Sequence, residues 1–212
     1  MGKTKGAVKV AMSKNERANA QRGFNVKSSP SPNSHSTGDG RGNWDTKRIA
    51  TCSIFVALSI VTSFIEIPIF PAAPFLKYDP SGIFCLLAAL QFSTSTGAIV
   101  VLLPWIFRIF TDPAGAIMSL FMGLCGVLVC GNVYSKLKSN KKLFLSLFLA
   151  ALASILAAMV ANLIVTPLYT GVSVDTVAKM LIPIILPFNL IKFSINSTLA
   201  GIIFTRMKKV FK

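Results

Sequence analysis

Apolar and polar positions divide this chain at about residue 48. Before it lies a stretch rich in Ser, Asn, Gly, Lys and Arg, with few large apolar side chains. After it, apolar runs follow one another with short polar breaks, the pattern of a multi-spanning membrane protein. The first span is predicted over residues 47–66, entered after Trp44 as an interfacial aromatic and ended by Glu66-Ile67-Pro68. The second run, 81–92, is short for a full crossing. A third covers 95–110 and a fourth 114–134, where Gly115, Gly123, Gly126 and Gly131 admit close helix contacts. The fifth runs over 143–165 and is broken by Thr166-Pro167; a short amphipathic piece over 174–181 precedes the sixth, 184–204. The expected fold class is an all-α membrane protein with six transmembrane helices in residues 47–212, behind a basic tail over 1–46.

The tail includes Ser28-Ser29-Pro30-Ser31-Pro32-Asn33-Ser34 and cannot bury enough surface to offset its ordering entropy, so disorder is expected there. About forty polar residues precede the first apolar run, which is not the layout of a secretory signal.

The most polar break is Pro74-Phe75-Leu76-Lys77-Tyr78-Asp79-Pro80-Ser81-Gly82. Two prolines fix φ and remove donors, so the segment reads as an extended turn. It sets a cation, a carboxylate, a phenol and a hydroxyl in apolar sequence, and suits a flap over a small polar ligand.

Composition sharpens this picture. The chain is 53% hydrophobic and 14% charged, outside the range of ordinary soluble domains. Its net charge of +15 is concentrated: residues 1–48 hold ten of the 22 Lys and Arg. Within residues 47–212, ten basic residues and no acid fall on one side of the six spans: Lys47, Arg48, Lys136, Lys138, Lys141, Lys142, Arg206, Lys208, Lys209 and Lys212. The other side carries Lys77, Arg108 and Lys179 with Glu66, Asp79, Asp112 and Asp175. The positive-inside rule places both termini in the cytoplasm and the Lys77 loop outside, in a multi-pass protein of the cell membrane. The excess charge is assigned to anionic lipid and not to nucleic acid.

Three polar residues interrupt the sixth run. Asn189, Lys192 and Asn196 are spaced by three and four, so they share one helical face. A lysine within a span costs roughly 2.5–3.5 kcal/mol on insertion scales. Lys192 therefore either faces a wet binding cavity or pairs with Glu66 or Asp79. Asn162 in the fifth run adds an amide at similar depth, and amides with two donors and an acceptor suit an imide-like edge. Phe75, Tyr78, Tyr169 and Phe188 are candidates to stack on a flat ring. In the first run, Ser53 and Ala57, with Ala50 nearby, form a small-residue face that suits packing in the bundle or docking to a partner subunit.

Cys52, Cys85, Cys125 and Cys130 lie in or beside apolar runs without a CxxC pair, and the single histidine is in the tail, so no metal or dithiol site is expected. No GxxxxGK[ST], HExxH or GxSxG appears. Binding is expected here, not enzymatic chemistry, and ATP hydrolysis would have to come from elsewhere.

Three motifs, FLKYDPS at 75–81, NLIVTPLYTG at 162–171 and LPFNLIK at 186–192, make the chain resemble the riboflavin-specific S components of energy-coupling factor (ECF) transporters, over about residues 47–210. The resemblance implies a six-helix S-component fold with the vitamin bound near the outer side. It implies a transmembrane coupling subunit and two ATPase subunits as partners, and no cofactor beyond riboflavin as the transported ligand. Leu76, Lys77, Tyr78 and Asp79 would form the outer loop over the ligand. Asn162, with Thr166 and Tyr169 of the same motif, would contact it from span five, and Asn189 and Lys192 would bond the ring edge or the ribityl chain. Ser53 and Ala57 stand where two alanines usually face the coupling subunit, and Gly82 where an acid commonly follows the serine. An S component for another vitamin or flavin (FMN, folate or pantothenate) and a stand-alone membrane carrier are the competing readings; a binding panel and uptake by vesicles containing this chain alone discriminate them.

Overall fold

A computed structural model describes residues 46–71, 73–137 and 141–210; the tail whose disorder is predicted lies outside that range, apart from Thr46. The chain order is α1 (Thr46–Ser63), β1 (Ile67–Pro68), β2 (Lys77–Tyr78), α2 (Ser81–Gln91), α3 (Thr94–Arg108), α4 (Pro113–Lys136), α5 (Lys142–Thr170), α6 (Val174–Met180), a π-helical turn (Leu181–Ile185) and α7 (Leu186–Val210). Short polar side chains set several of the starts. Ser93 Oγ accepts from the Thr96 N–H, the Asp112 carboxylate from the Gly115 N–H with Pro113 beginning the helix, and Ser173 Oγ from the Thr176 N–H.

The predicted apolar runs appear as helices α1, α2, α3, α4, α5 and α7. Among the described residues, three helical stretches suffice by length and composition to cross a membrane: Pro113–Lys136, Lys142–Thr170 and Val174–Lys208. The eleven residues of α2 span only about 16 Å against a hydrocarbon thickness of about 30 Å. Its place explains its composition. It packs against α1, α3, α4 and α7, and Ile83, Cys85, Leu86, Leu87, Ala88, Ala89 and Leu90 are all buried. A helix apolar all round is a central one. Close crossings depend on missing side chains: a Cβ on Gly97 would lie 2.7 Å from Val127 Cγ1, and one on Gly126 would lie 2.3 Å from Ser154 Oγ. Large apolar side chains such as Ile54, Val61, Leu156 and Ile164 are exposed instead, as lipid-facing positions are.

Three expectations are corrected. The fifth helix does not break at Thr166-Pro167 but continues to Thr170 and ends at Gly171, whose φ of 73° is the left-handed cap. Proline removes one hydrogen bond to the carbonyl four residues earlier, and the apolar surroundings outweigh that loss. The sixth span does not begin afresh at Ile184 either. The helix from Val174 runs through the π turn, which contains Pro183, into α7. The Lys77 segment is also more regular than an extended turn. Ile67 pairs with Tyr78 and Pro68 with Lys77 in a small antiparallel hairpin. Leu76 and Ala73 anchor it in an apolar cluster with Val177, Ile185 and Phe188, so the hairpin rests on α6 and the π turn.

Candidate functional site

The polar row on α7 meets the hairpin. Lys192 Nζ donates to Asp79 Oδ2 at 2.8 Å, and both side chains are buried. Ser81 Oγ donates to the other oxygen of Asp79. The Tyr78 hydroxyl donates to Asn196 Oδ1 at 3.1 Å, and Gly82 leaves room for that amide: a Cβ there would lie 2.8 Å from Asn196 Nδ2. The spacing of 189, 192 and 196 thus places Asn189, Lys192 and Asn196 on one buried face, at 1%, 7% and 2% exposure. Of the partners read for Lys192, Asp79 takes it while Glu66 is held by Lys77 and Arg108, and Lys192 also borders the cavities described below.

A second charged cluster closes the same end. The Glu66 carboxylate takes Lys77 on one oxygen and Arg108 on the other, and Arg108 reaches Asp112 at 3.7 Å. Arg108 is buried, and sequence reasoning missed its role; the signal was an arginine four residues before a helix-capping Asp. The hydrogen bond to Glu66 holds the Lys77 ammonium above its ordinary pKa despite some desolvation. Burial raises the Tyr78 phenol, with the Asp79 charge adding to it. Burial alone would push the Asp79 carboxyl up, but the charge of Lys192 and the hydrogen bonds from Lys192 and Ser81 together outweigh it and hold it below the usual carboxylate range.

Two cavities adjoin the Asp79–Lys192 pair. One, of about 50 Å³, lies under the hairpin and is lined by Phe75, Leu76, Lys77, Asn162, Phe188 and Asn189 among others. The second, of about 60 Å³, lies between α1, α2, α3, α4 and α7 and is lined by Ser59, Ser63, Ser81, Trp105 and Asn196 among others. Asp79, Arg108, Ser119, Met122 and Lys192 border both. Among the described residues, Trp105 Nε1 is the buried side-chain polar atom without a hydrogen-bond partner, and Trp105 is one of the residues lining the second cavity.

The two amides of the first cavity come from separate helices. One N–H of Asn162 is given to the Ala158 carbonyl at 2.8 Å, while its oxygen accepts from Thr166 Oγ1 at 3.1 Å. Asn189 gives one N–H to the Ile185 carbonyl at 2.8 Å. Each amide is thereby fixed in orientation and keeps further capacity. Thr166 is buried behind Asn162 and borders neither cavity. Tyr169 is 59% exposed and borders neither, because α5 continues to Thr170 and carries it on the outer helix surface. Tyr78 is spent on Asn196, while Phe75 and Phe188 line the wall and Phe188 packs edge-on to Phe70 at 6.3 Å. Away from this end, Ser53 and Ala57 are exposed on α1 together with Ala50.

The family described as "ECF transporter, substrate-specific component" matches residues 47–204. A curated relative, the riboflavin transporter RibU of Staphylococcus aureus (strain TCH60), is 28% identical over 176 residues, covering 78% of this chain and 93% of the relative. A solved structure, the S component of a bacterial ECF transporter, superposes with a TM-score of 0.69 at 28% identity, covering 78% of this chain and 98% of the other.

Proposed function

The chain belongs to the ECF transporter substrate-specific components, and from that premise we propose that it captures riboflavin at the hairpin end and delivers it with a transmembrane coupling subunit and two ATPase subunits. The observation that carries the reading is the convergence of Asn162, Asn189 and Lys192 with Phe75 and Phe188 on one cavity under the hairpin. Aromatic faces suit a flat heterocycle, and amides beside a lysine suit its ring carbonyls and nitrogens. The likeness to a riboflavin transporter supports the same ligand.

Electrostatics narrows the choice. The cavity is bordered by Lys77, Arg108 and Lys192 and equally by Glu66, Asp79 and Asp112. Its cations already hold carboxylates, so none is left over to neutralise a phosphate, which favours an uncharged ligand over a phosphorylated one. The cavities, at about 50 and 60 Å³, are far below the roughly 300 Å³ and more typical of small-molecule sites. Binding a tricyclic ring therefore requires the Leu76–Asp79 segment to move away from α7. That movement parts Asp79 from Lys192 and Tyr78 from Asn196 and withdraws Leu76 from its apolar cluster, so the ligand's own contacts have to offset the loss.

The same reading sets both termini in the cytoplasm and the hairpin outside. It gives the exposed face of Ala50, Ser53 and Ala57 to the coupling subunit, since small residues permit close helix approach. The test is the absorbance spectrum of the purified chain, followed by quenching titrations with riboflavin, FMN, folate and pantothenate. A flavin spectrum and quenching strongest with riboflavin are expected. Binding of another member of the panel reassigns the vitamin, and ATP-independent uptake by vesicles containing this chain alone overturns the S-component mechanism.

A further inference from the structure

We propose that Glu66 is a specificity-determining residue of the hairpin cavity: its one carboxylate holds two cations, Lys77 and Arg108, and so denies them to a phosphorylated ligand. The inference rests on the reading of that cavity as the vitamin site and names the residue that enforces its preference for an uncharged ligand. Glu66 stands between the end of α1 and the start of β1. Its Oε2 takes Lys77 Nζ at 2.5 Å, and its Oε1 takes Arg108. All three residues line the hairpin cavity. The other carboxylates there have different commitments. Asp79 accepts from Lys192 and Ser81. Asp112 Oδ1 caps α4 through the Gly115 N–H, and its Oδ2 stands 3.7 Å from Arg108, outside hydrogen-bonding distance. Among the described residues, Glu66 is therefore the carboxylate that Arg108 hydrogen-bonds.

The guanidinium is held in place from both ends. Its side chain is buried, and the Arg108 carbonyl accepts the N–H groups of Thr111 and Asp112 at 3.0 and 2.8 Å, which fixes the turn that carries it. Lys77, Arg108 and Lys192 border the cavity against Glu66, Asp79 and Asp112, so its formal charges balance. Replacing Glu66 by Gln leaves three cations against two carboxylates and releases two cations at once. A buried Arg108 without its carboxylate is costly, and a phosphate is a group that can take the carboxylate's place. Guanidinium binds phosphate through paired N–H donors, and an ammonium binds it as a point charge. Asp112→Asn removes the same formal charge but leaves Glu66 on both cations, and asparagine preserves the helix cap. Two substitutions of equal charge are thus expected to differ in what they admit.

The test uses the full chain in detergent, titrated with riboflavin and with FMN by fluorescence quenching, and melted with and without inorganic phosphate at constant ionic strength. Glu66→Gln is expected to narrow the preference for riboflavin over FMN at least about tenfold, the scale of a hydrogen bond to a charged group. It should also gain more in melting temperature from phosphate than the native chain does. Asp112→Asn should narrow the preference by much less. Adding Lys77→Gln to Glu66→Gln should reverse part of the change. An unchanged preference in Glu66→Gln overturns the proposal, as does an equal change in Asp112→Asn, which would reduce the effect to net charge. Absence of flavin binding by the native chain overturns the riboflavin reading instead. The phosphate arm then decides the role of Glu66: an extra gain in Glu66→Gln supports it, and the native response overturns it. Should Glu66→Gln fail to fold, Glu66→Asp, one methylene shorter, carries the test with a smaller change of the same sign.

Discussion

At the hairpin end, Lys77 and Arg108 hold Glu66, Lys192 holds Asp79 and Lys179 holds Asp175 at 2.6 Å. At the lysine end, Lys142 and Lys208 share the ring of Tyr134, and no acidic side chain stands near them among the described residues. The difference follows from burial. Arg108, Asp79 and Lys192 are removed from solvent, where an unpaired charge is costly, whereas Lys208 stays exposed and can be satisfied by water and headgroups. Apart from the exposed Lys179–Asp175 pair, charge at one end is internal architecture around a cavity, and at the other it is an outward-facing surface.

The sharpest way to break this contrast is to remove one member of the buried pair. Lys192→Met leaves Asp79 buried without its cation and should lower the unfolding free energy by about 3–5 kcal/mol, while adding Asp79→Asn should restore most of it. Thermal unfolding of the two variants in detergent measures this; equal losses would mean that the pair is not the unit of stability. A smaller effect is expected for Asn189→Ala. It should weaken riboflavin binding by roughly 1–3 kcal/mol in a quenching titration, the effect of one lost buried polar contact.

Acidification probes the same pair more gently. Because the Asp79 carboxyl lies below its ordinary range in the folded protein, the unfolded chain binds the proton more readily. The stabilisation it contributes is fully present above the ordinary carboxylate pKa of about 4 and is lost as pH falls through the depressed value. The melting temperature of the native chain should therefore decline below about pH 4 with a steeper slope than that of Asp79→Asn. Least affected should be K142Q/K208Q, whose stability should stay within about 0.5 kcal/mol of the native chain. Destabilisation of that double variant by several kcal/mol would erase the distinction between the two ends.

Much of this contrast was legible in the sequence. The spacing of Asn189, Lys192 and Asn196 placed them on one face, and the division of acids from surplus lysines marked the two ends, because helical periodicity and loop charge are local properties. Arg108 was not legible as the bridge to Glu66, since that contact joins residues 42 apart in sequence. Nor was the exposure of Tyr169: a Thr-Pro pair reads as a stop, yet the surrounding bundle carries the helix one turn further. The shortness of α2 was visible, but that this helix is the hub of the bundle depends on contacts with four other helices that no local pattern encodes. The proline-bearing segment before Lys192 read as a gap between two elements, when it is a wider turn within one.

That wider turn, Leu181–Ile185, fixes the compass bearing of everything after it. Each residue of an ideal helix advances the winding by about 100°. Rewinding that turn as ordinary α-helix with all its residues kept would swing Asn189, Lys192 and Asn196 by about that angle, away from the hairpin, because a π turn takes roughly one more residue per winding. An irregular coil upstream is what keeps three polar groups aimed inward.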